Sequence, residues 1–409
     1  MMPQLAGRGA LTRTVRSARA RTRRWAGGIT PLVEFRRRQR VRVGYGQTEP
    51  LDYRPSGSVL FITSNGAGLG HISRMLAVAT RLPSDRDPVI LTLSKAYTQV
   101  QGLGVEVRYF PSAAATDGDA DSWNHGFGRH LFELMKELRP SVVMFDGTWI
   151  YQPVTDVCRT LGIHLVWMQR GCWRPEVDRN SPQRHLAARV CDEVVVPGDY
   201  GCREMVDVGP GVPVHYVNPV TLTGPEDLLS REEACADLGF DSSRRYVLIS
   251  LGGGILFDGE KAVAAALEAV LSLGPEWVPV MTRNPLAEEA AVDERLQVMS
   301  AYPLARYYRA FEFAVTAAGY NSVQEAIALD LPSILLPNDR TVTDDQVRRA
   351  LSVDEEGLAR TVRSAEGLRE AITAQAAGDG RAAEAPLPAD GGAQAAELLA
   401  DRLRAIAAM

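Results

Sequence analysis

Three short segments hold residues whose types and spacing could do chemistry. The first reads Gly66-Ala67-Gly68-Leu69-Gly70-His71. It follows the apolar run SVLFITS (58–64) and precedes a helical pattern of Ile72, Met75, Leu76 and Ala79. Glycines there let the backbone approach a ligand closely, and a helix start offers N–H groups without intrahelical partners. A dinucleotide fingerprint needs an acid at the end of the second strand. That strand ends in Ser94 and Lys95 instead, which weakens the NAD reading and leaves a tight turn or another ligand. His71 falls in the first helical turn, where the dipole favours neutral imidazole, the form that serves as a general base.

The second segment, Ser250-Leu251-Gly252-Gly253-Gly254, also follows a strand. Consecutive glycines form a backbone nest suited to phosphate, or simply a turn. The third is Ala318-Gly319-Tyr320-Asn321-Ser322-Val323-Gln324-Glu325, between a strand and an amphipathic helix. The N–H groups of Asn321 and Ser322 would face outward at the helix start and could cradle a diphosphate, with Glu325 one turn on, within reach of ribose hydroxyls. The competing reading is a capping box from Ser322 to Glu325. Further on, Asp345-Gln346 sets an acid beside an amide. That pair can bind sugar hydroxyls, or merely open an exposed helix.

These segments need a scaffold that aims strand ends at one place. Short apolar runs at 58–64, 88–93, 105–110, 141–146, 163–168 and 192–197 alternate with helical stretches, notably 129–138 and 150–161. A second set follows at 245–254, 277–282, 295–300, 311–319 and 332–338, with helices over 259–273 and 321–329. Alternating strand and helix predicts an α/β fold with mostly parallel sheets, in two doubly wound halves. Ligands in such sheets sit beyond the carboxyl ends of the strands, so the cleft between the halves is the expected site. We expect a basic tail over 1–54, disordered or peripheral at a membrane. A first domain covers 55–220, a linker 221–240, a second domain 241–390, and a last helix 391–409.

Composition limits the partners. The 409 residues are 45% hydrophobic and 23% charged, ordinary for a globular protein. Residues 1–42 hold twelve arginines and one acid, Glu34. They therefore carry about +11 of a net −5, leaving the body near −16. An acidic body argues against nucleic acid. The arginine-rich head suits an anionic membrane surface. Five irregularly spaced cysteines and no CxxC argue against a disulfide framework or zinc site and favour a reducing compartment. The expected location is cytoplasmic, including a peripheral place at the inner face of the plasma membrane. Gln169-Arg170-Gly171-Cys172-Trp173-Arg174 should face the cleft after its strand, with Arg170 and Trp173 as candidate contacts to an anionic or lipid-linked acceptor, or as a structural loop.

In their order along the chain these motifs resemble the GT-B glycosyltransferases, in the group containing plant-type and glucuronosyl UDP-sugar transferases and the peptidoglycan lipid-intermediate GlcNAc transferase. GAGLGHISR (66–74) resembles the glycine-rich loop of the first domain, with Gly68, Gly70 and its histidine. AAGYNSVQE (317–325) resembles the donor-binding signature, whose Gly, Asn, Ser and Glu hold phosphate and ribose. Asp345-Gln346 resembles the pair that grips the donor sugar. The signature often begins with His where this chain has Ala317. The acid partner of the histidine is assigned to Asp146 by strand position. The resemblance implies two Rossmann-like domains facing across a cleft. It also implies inverting, metal-independent transfer of a hexose-type sugar to a glycan or lipid-linked hydroxyl. A UDP-sugar would be the co-substrate, with no other cofactor, and His71 the base. A UDP-sugar 2-epimerase on the same fold and a non-catalytic sugar-nucleotide scaffold are the alternatives.

Overall fold

The computed structural model describes residues 53–64, 69–116, 119–203, 205–251, 259–282, 293–378 and 390–408. Gly68, Gly252, Gly253, Gly254 and the arginine-rich head to residue 52 lie outside the described residues.

Two parallel sheets organise the chain. The first contains β1 (Val59–Thr63), β2 (Val89–Thr92), β3 (Glu106–Tyr109), β4 (Val142–Asp146), β5 (His164–Met168), β6 (Glu193–Pro197) and β7 (Val214–Val217), in the order β3-β2-β1-β4-β5-β6-β7. The second contains β8 (Arg245–Ser250), β9 (Trp277–Thr282), β10 (Gln297–Met299), β11 (Phe311–Thr316), β12 (Ser333–Leu335) and β13 (Arg360–Thr361), in the order β10-β9-β8-β11-β12-β13. Both have the doubly wound order, in which the chain reverses direction across the sheet next to its first strand. That places the switch points between β1 and β4 and between β8 and β11.

Strand composition explains the layering. VLFIT in β1 and VVMFD in β4 are buried throughout, as expected for parallel strands covered on both faces. Leu60, Ile62, Val143 and Phe145 pack on one side, with α2 (Ala120–Leu138) and α3 (Gln152–Leu161). Phe61, Val142 and Met144 pack on the other against Ile72, Met75 and Leu76 of α1 (Gly70–Ala79).

Residues 221–240, read as a linker, contain a short helix. Arg231–Leu238 forms a helix (α4), capped by Ser230 and Glu233 in a reciprocal box. Its Ala234 and Cys235 are buried in the second sheet's core with Tyr246, Leu248 and Tyr308. The chain crosses between the halves before that helix. The second half continues through α5 (Gly259–Leu271), α6 (Tyr320–Ala328), α7 (Gln346–Glu355) and α8 (Ala365–Ala376). The last helix, α9 (Gly391–Ala407), returns to the first half, where Ala395, Ala396, Leu399 and Leu403 fill the core over α1. Gly391 begins it because a Cβ there would overlap the backbone of Asn218 and Pro219. Among the described residues, no helix is long and apolar enough to cross a membrane.

Candidate active site at the junction of the two lobes

The first sheet brings together two of the expected residues. Thr63 at the end of β1 is in register with Asp146 at the end of β4. His71 lies in the first turn of the helix that follows β1. Its Nδ1 is 2.9 Å from Asp146 Oδ1. Asp146 is 1% exposed and the His71 side chain 16% exposed. Burial alone would raise the Asp146 carboxyl, but the guanidinium of Arg74 and the ring of His71 outweigh it and hold it down at about 2. His71 moves the other way. Burial lowers it below the ordinary histidine range, Asp146 opposes that, and the cations of Arg74 and Arg170 add to it. The pair is thus a neutral imidazole beside an ionised carboxylate. A carboxylate only accepts, so Nδ1 carries the proton and Nε2 keeps its lone pair.

The second sheet supplies a helix start. α6 begins at Tyr320 with Gly319 as its N-cap and no side chain capping it. Ser322 is therefore inside the helix, and the capping-box reading of Ser322 and Glu325 does not apply. Gly319 has φ −68° and ψ 155°, an extended geometry open to any residue. Among the described residues, a Cβ added to it would meet nothing within 4 Å. Glu325 accepts the Leu222 N–H, and burial pushes its carboxyl up to about 7.

The lobes meet at these elements. Asn321 Oδ1 accepts from Arg74 Nη1 at 2.8 Å, and Asn321 Nδ2 donates to Gly70 O at 3.3 Å. Ser73 and Tyr302 join hydroxyls at 2.8 Å. Tyr320 takes the Val220 N–H and donates to Gly198 O. The base-bearing turn of one half is therefore held against the helix start of the other.

Other expected residues are placed differently. Asp345 caps α7, accepting from Arg348 N at 3.1 Å, and Gln346 Oε1 accepts from Asn338 N. Both side chains therefore have local partners. The neighbouring Asp344 faces the junction, paired with Arg349 and 3.6 Å from Arg170. Trp173 is 4% exposed, pairs as an isolated bridge with Asp344, and lies under the Arg184 guanidinium at 4.3 Å. It is packing between the lobes rather than an open acceptor contact. Arg170 sits near Asp344, Arg74 and Arg349, and burial depresses its pKa. Sequence reasoning missed Arg74, Asp344 and Arg349. Arg74 did leave a signal: it stands three residues after His71, on the same helix face.

Known proteins share this plan. Residues 263–397 match the glycosyltransferase family 28 C-terminal domain. The UDP-N-acetylglucosamine--N-acetylmuramyl-(pentapeptide) pyrophosphoryl-undecaprenol N-acetylglucosamine transferase of Nocardioides sp. is 27% identical over 217 residues, covering 51% of this chain and 56% of that protein. The enzyme of the same name from Paenarthrobacter aurescens is 21% identical over 298 residues, covering 68% and 76%. The chain thus spans between about half and three quarters of the length of these two relatives. Among solved structures, the spinosyn rhamnosyltransferase SpnG complexed with thymidine diphosphate superposes with a TM-score of 0.54 at 17% identity, over 85% of this chain and 96% of that one. MurG of Acinetobacter baumannii gives 0.50 at 16%, over 85% and 99%. The chain has the GT-B fold, matches the glycosyltransferase family 28 C-terminal domain over residues 263–397, and resembles the lipid-intermediate GlcNAc transferases.

Proposed function

We propose that this protein is a glycosyltransferase that moves a hexose-type sugar from a UDP-sugar to a hydroxyl of a glycan or lipid-linked acceptor, with inversion. The observation that carries the reading is the contact of Asn321 with Arg74 and Gly70. It sets the His71–Asp146 pair against a helix start able to take diphosphate charge. In this reading His71 Nε2 removes the acceptor proton. The acceptor oxygen attacks the anomeric carbon, and the departing diphosphate is met by the N–H groups at the start of α6. Gly319 leaves room for the phosphates, and Glu325 accepts from the ribose hydroxyls. Arg170, crowded among other cations, suits an anionic group on a substrate. A 2-epimerase is not favoured, because the relatives named above are transferases.

The test is UDP release from UDP-sugars with and without lipid-linked acceptors. Acceptor-dependent release is expected. Nucleotide binding without turnover on any acceptor would leave a sugar-nucleotide-binding scaffold.

The Glu325 assignment has its own consequence. Hydroxyls donating to the carboxylate favour its anion, so binding near pH 7 should expel a proton. Calorimetric titration of UDP in phosphate and in Tris buffer should give different heats; equal heats would remove the ribose contact. For the arginine-rich head, the proposal is attachment to an anionic bilayer, at roughly 1 kcal/mol per arginine near the surface. Deleting residues 1–50 should abolish co-sedimentation with phosphatidylglycerol vesicles, and undiminished co-sedimentation would refute the attachment.

A further inference from the structure

Arg74 is 2% exposed and touches both lobes at the junction. Its Nε donates to Asp146 Oδ2 at 2.8 Å and its Nη2 to Asp146 Oδ1 at 3.0 Å. Nη1 donates to Asn321 Oδ1 at 2.8 Å, and the guanidinium lies over the Tyr320 ring at 5.1 Å. Nη2 is also 3.0 Å from His71 Nδ1. One arginine thus holds the acid of the first lobe by a two-pronged grip and reaches the first turn of α6 in the second.

The crowding at His71 Nδ1 decides what that grip does. Nδ1 faces both Asp146 Oδ1 and Arg74 Nη2. It can donate to the carboxylate or accept from the guanidinium, and each choice puts the ring proton on a different nitrogen. With Nδ1 unprotonated, its lone pair would point at a carboxylate oxygen 2.9 Å away. Nη2 already has Asp146 Oδ1 as an acceptor, so it needs nothing from the ring. The proton therefore stays on Nδ1. The cation beside the ring also opposes a second proton. Asp146 alone would favour the imidazolium; burial opposes it most, and Arg74 and Arg170 add to that opposition. Among the described residues, the charged groups acting on His71 are Asp146 from the end of β4, Arg74 from α1 and Arg170 from the loop after β5.

We propose that Arg74 is the positioning residue that fixes the His71–Asp146 pair in one hydrogen-bonding state and registers it against the start of α6 in the opposite lobe. A buried ion pair is weak evidence for stability, and three directed contacts from one group point to placement. Lysine keeps the charge but lacks the planar fork, so it can hold only part of this arrangement. The inference rests on the transferase reading for its kinetic consequence but not for its spectroscopic one.

The experiment uses the full chain and two variants, Arg74→Lys and Arg74→Gln. Nitrogen-15 NMR of labelled histidine, assigned by loss of one signal in His71→Gln, reads the tautomer and titration of His71. In the parent, His71 should carry its proton on Nδ1 and titrate below the ordinary histidine range. In Arg74→Gln its titration should rise; in Arg74→Lys it should stay low. Arg74→Lys should still lose about 100-fold in kcat, the scale of a misplacement near 1 Å. Failure of all variants to transfer sugar, parent included, would defeat the transferase reading and leave the NMR comparison standing. Unchanged His71 titration in Arg74→Gln, or parental kcat in Arg74→Lys, would overturn the role of Arg74. If Arg74→Gln does not fold, the tautomer in the parent and kcat in Arg74→Lys still decide it.

Discussion

Replacing His71 with alanine should lower turnover by about 100- to 10,000-fold, the range that positioned general bases contribute. Nucleotide affinity and melting temperature should change little. The physical reason is local. His71 donates its Nδ1 proton to Asp146, which orients the ring and leaves Nε2 as the acceptor in the cleft. Its side chain is 16% exposed at the junction and is not among the core residues. The pH profile should follow from the same contacts. Because burial and the nearby arginines hold His71 below the ordinary histidine range, the rate should stay level through neutral pH and fall only as acid protonates the ring. Asp146→Asn should also lose activity, since an amide can donate to Nδ1 and reverse the tautomer. An unchanged rate in His71→Ala would remove the residue from the chemistry.

The largest effect on stability should come from Arg349→Met. Arg349 is fully buried, and its Nε donates to both Asp199 oxygens at 2.8 and 3.1 Å. Nη1 and Nη2 grip Asp344 at 3.0 and 2.8 Å, and Nη1 also reaches Ala318 O. Asp199 follows β6 of the first half, whereas Asp344 and Ala318 belong to the second. Gln324 on α6 donates to the same Asp199 and accepts the Tyr200 N–H. Removing one partner of a buried pair strands the others, at a cost of about 3–5 kcal/mol. The pH dependence should also weaken. In the parent, Asp344 is held below the ordinary carboxyl range despite its burial, chiefly by Arg349 and Arg170. Its stabilisation is complete above the unfolded carboxyl pKa and is lost as pH falls through the lower folded value. In the variant, Asp344 loses the first of those two cations. Less stability should then be lost than in the parent as pH drops from 7 toward 4. Urea denaturation at pH 7 and pH 5 measures both. A loss below about 1 kcal/mol, the scale of a surface ion pair, would show that the network is not what holds the lobes.

Most strands were legible because they are short apolar runs; β7, Val214–Val217, was not expected. Burial of both faces of a parallel sheet leaves no alternation to decode, only length and flanking turns. Asp146 could be chosen because the end of a strand beside the switch point is where a ligand sits. Some helix starts were legible within a residue or two: α6 begins at Tyr320 and α9 at Gly391, against expected starts of 321 and 391, whereas α2 begins at Ala120, nine residues before the expected 129. What stayed hidden depends on distant partners. Arg349 pairs with an aspartate 150 residues away, and nothing in QVRRALSVDE separates it from the more exposed Arg348. Asp344 and Asp345 are adjacent and alike. Backbone geometry turns one into a helix cap and the other toward the junction. Arg231–Leu238 lacks an apolar stripe, so its burial against residues 304–310 could not be read locally. β13 is two residues long and exists only because β12 offers it an edge.

The account depends on a nucleoside diphosphate lying at the start of α6 with its ribose on Glu325. The most direct measurement is calorimetric titration of UDP into the parent, His71→Ala and Glu325→Ala. The account predicts saturable one-site binding in the parent and in His71→Ala. In Glu325→Ala binding should weaken about tenfold or more, the worth of a charge-assisted hydrogen bond. Absence of binding at millimolar UDP, or equal affinity in Glu325→Ala and the parent, would contradict it.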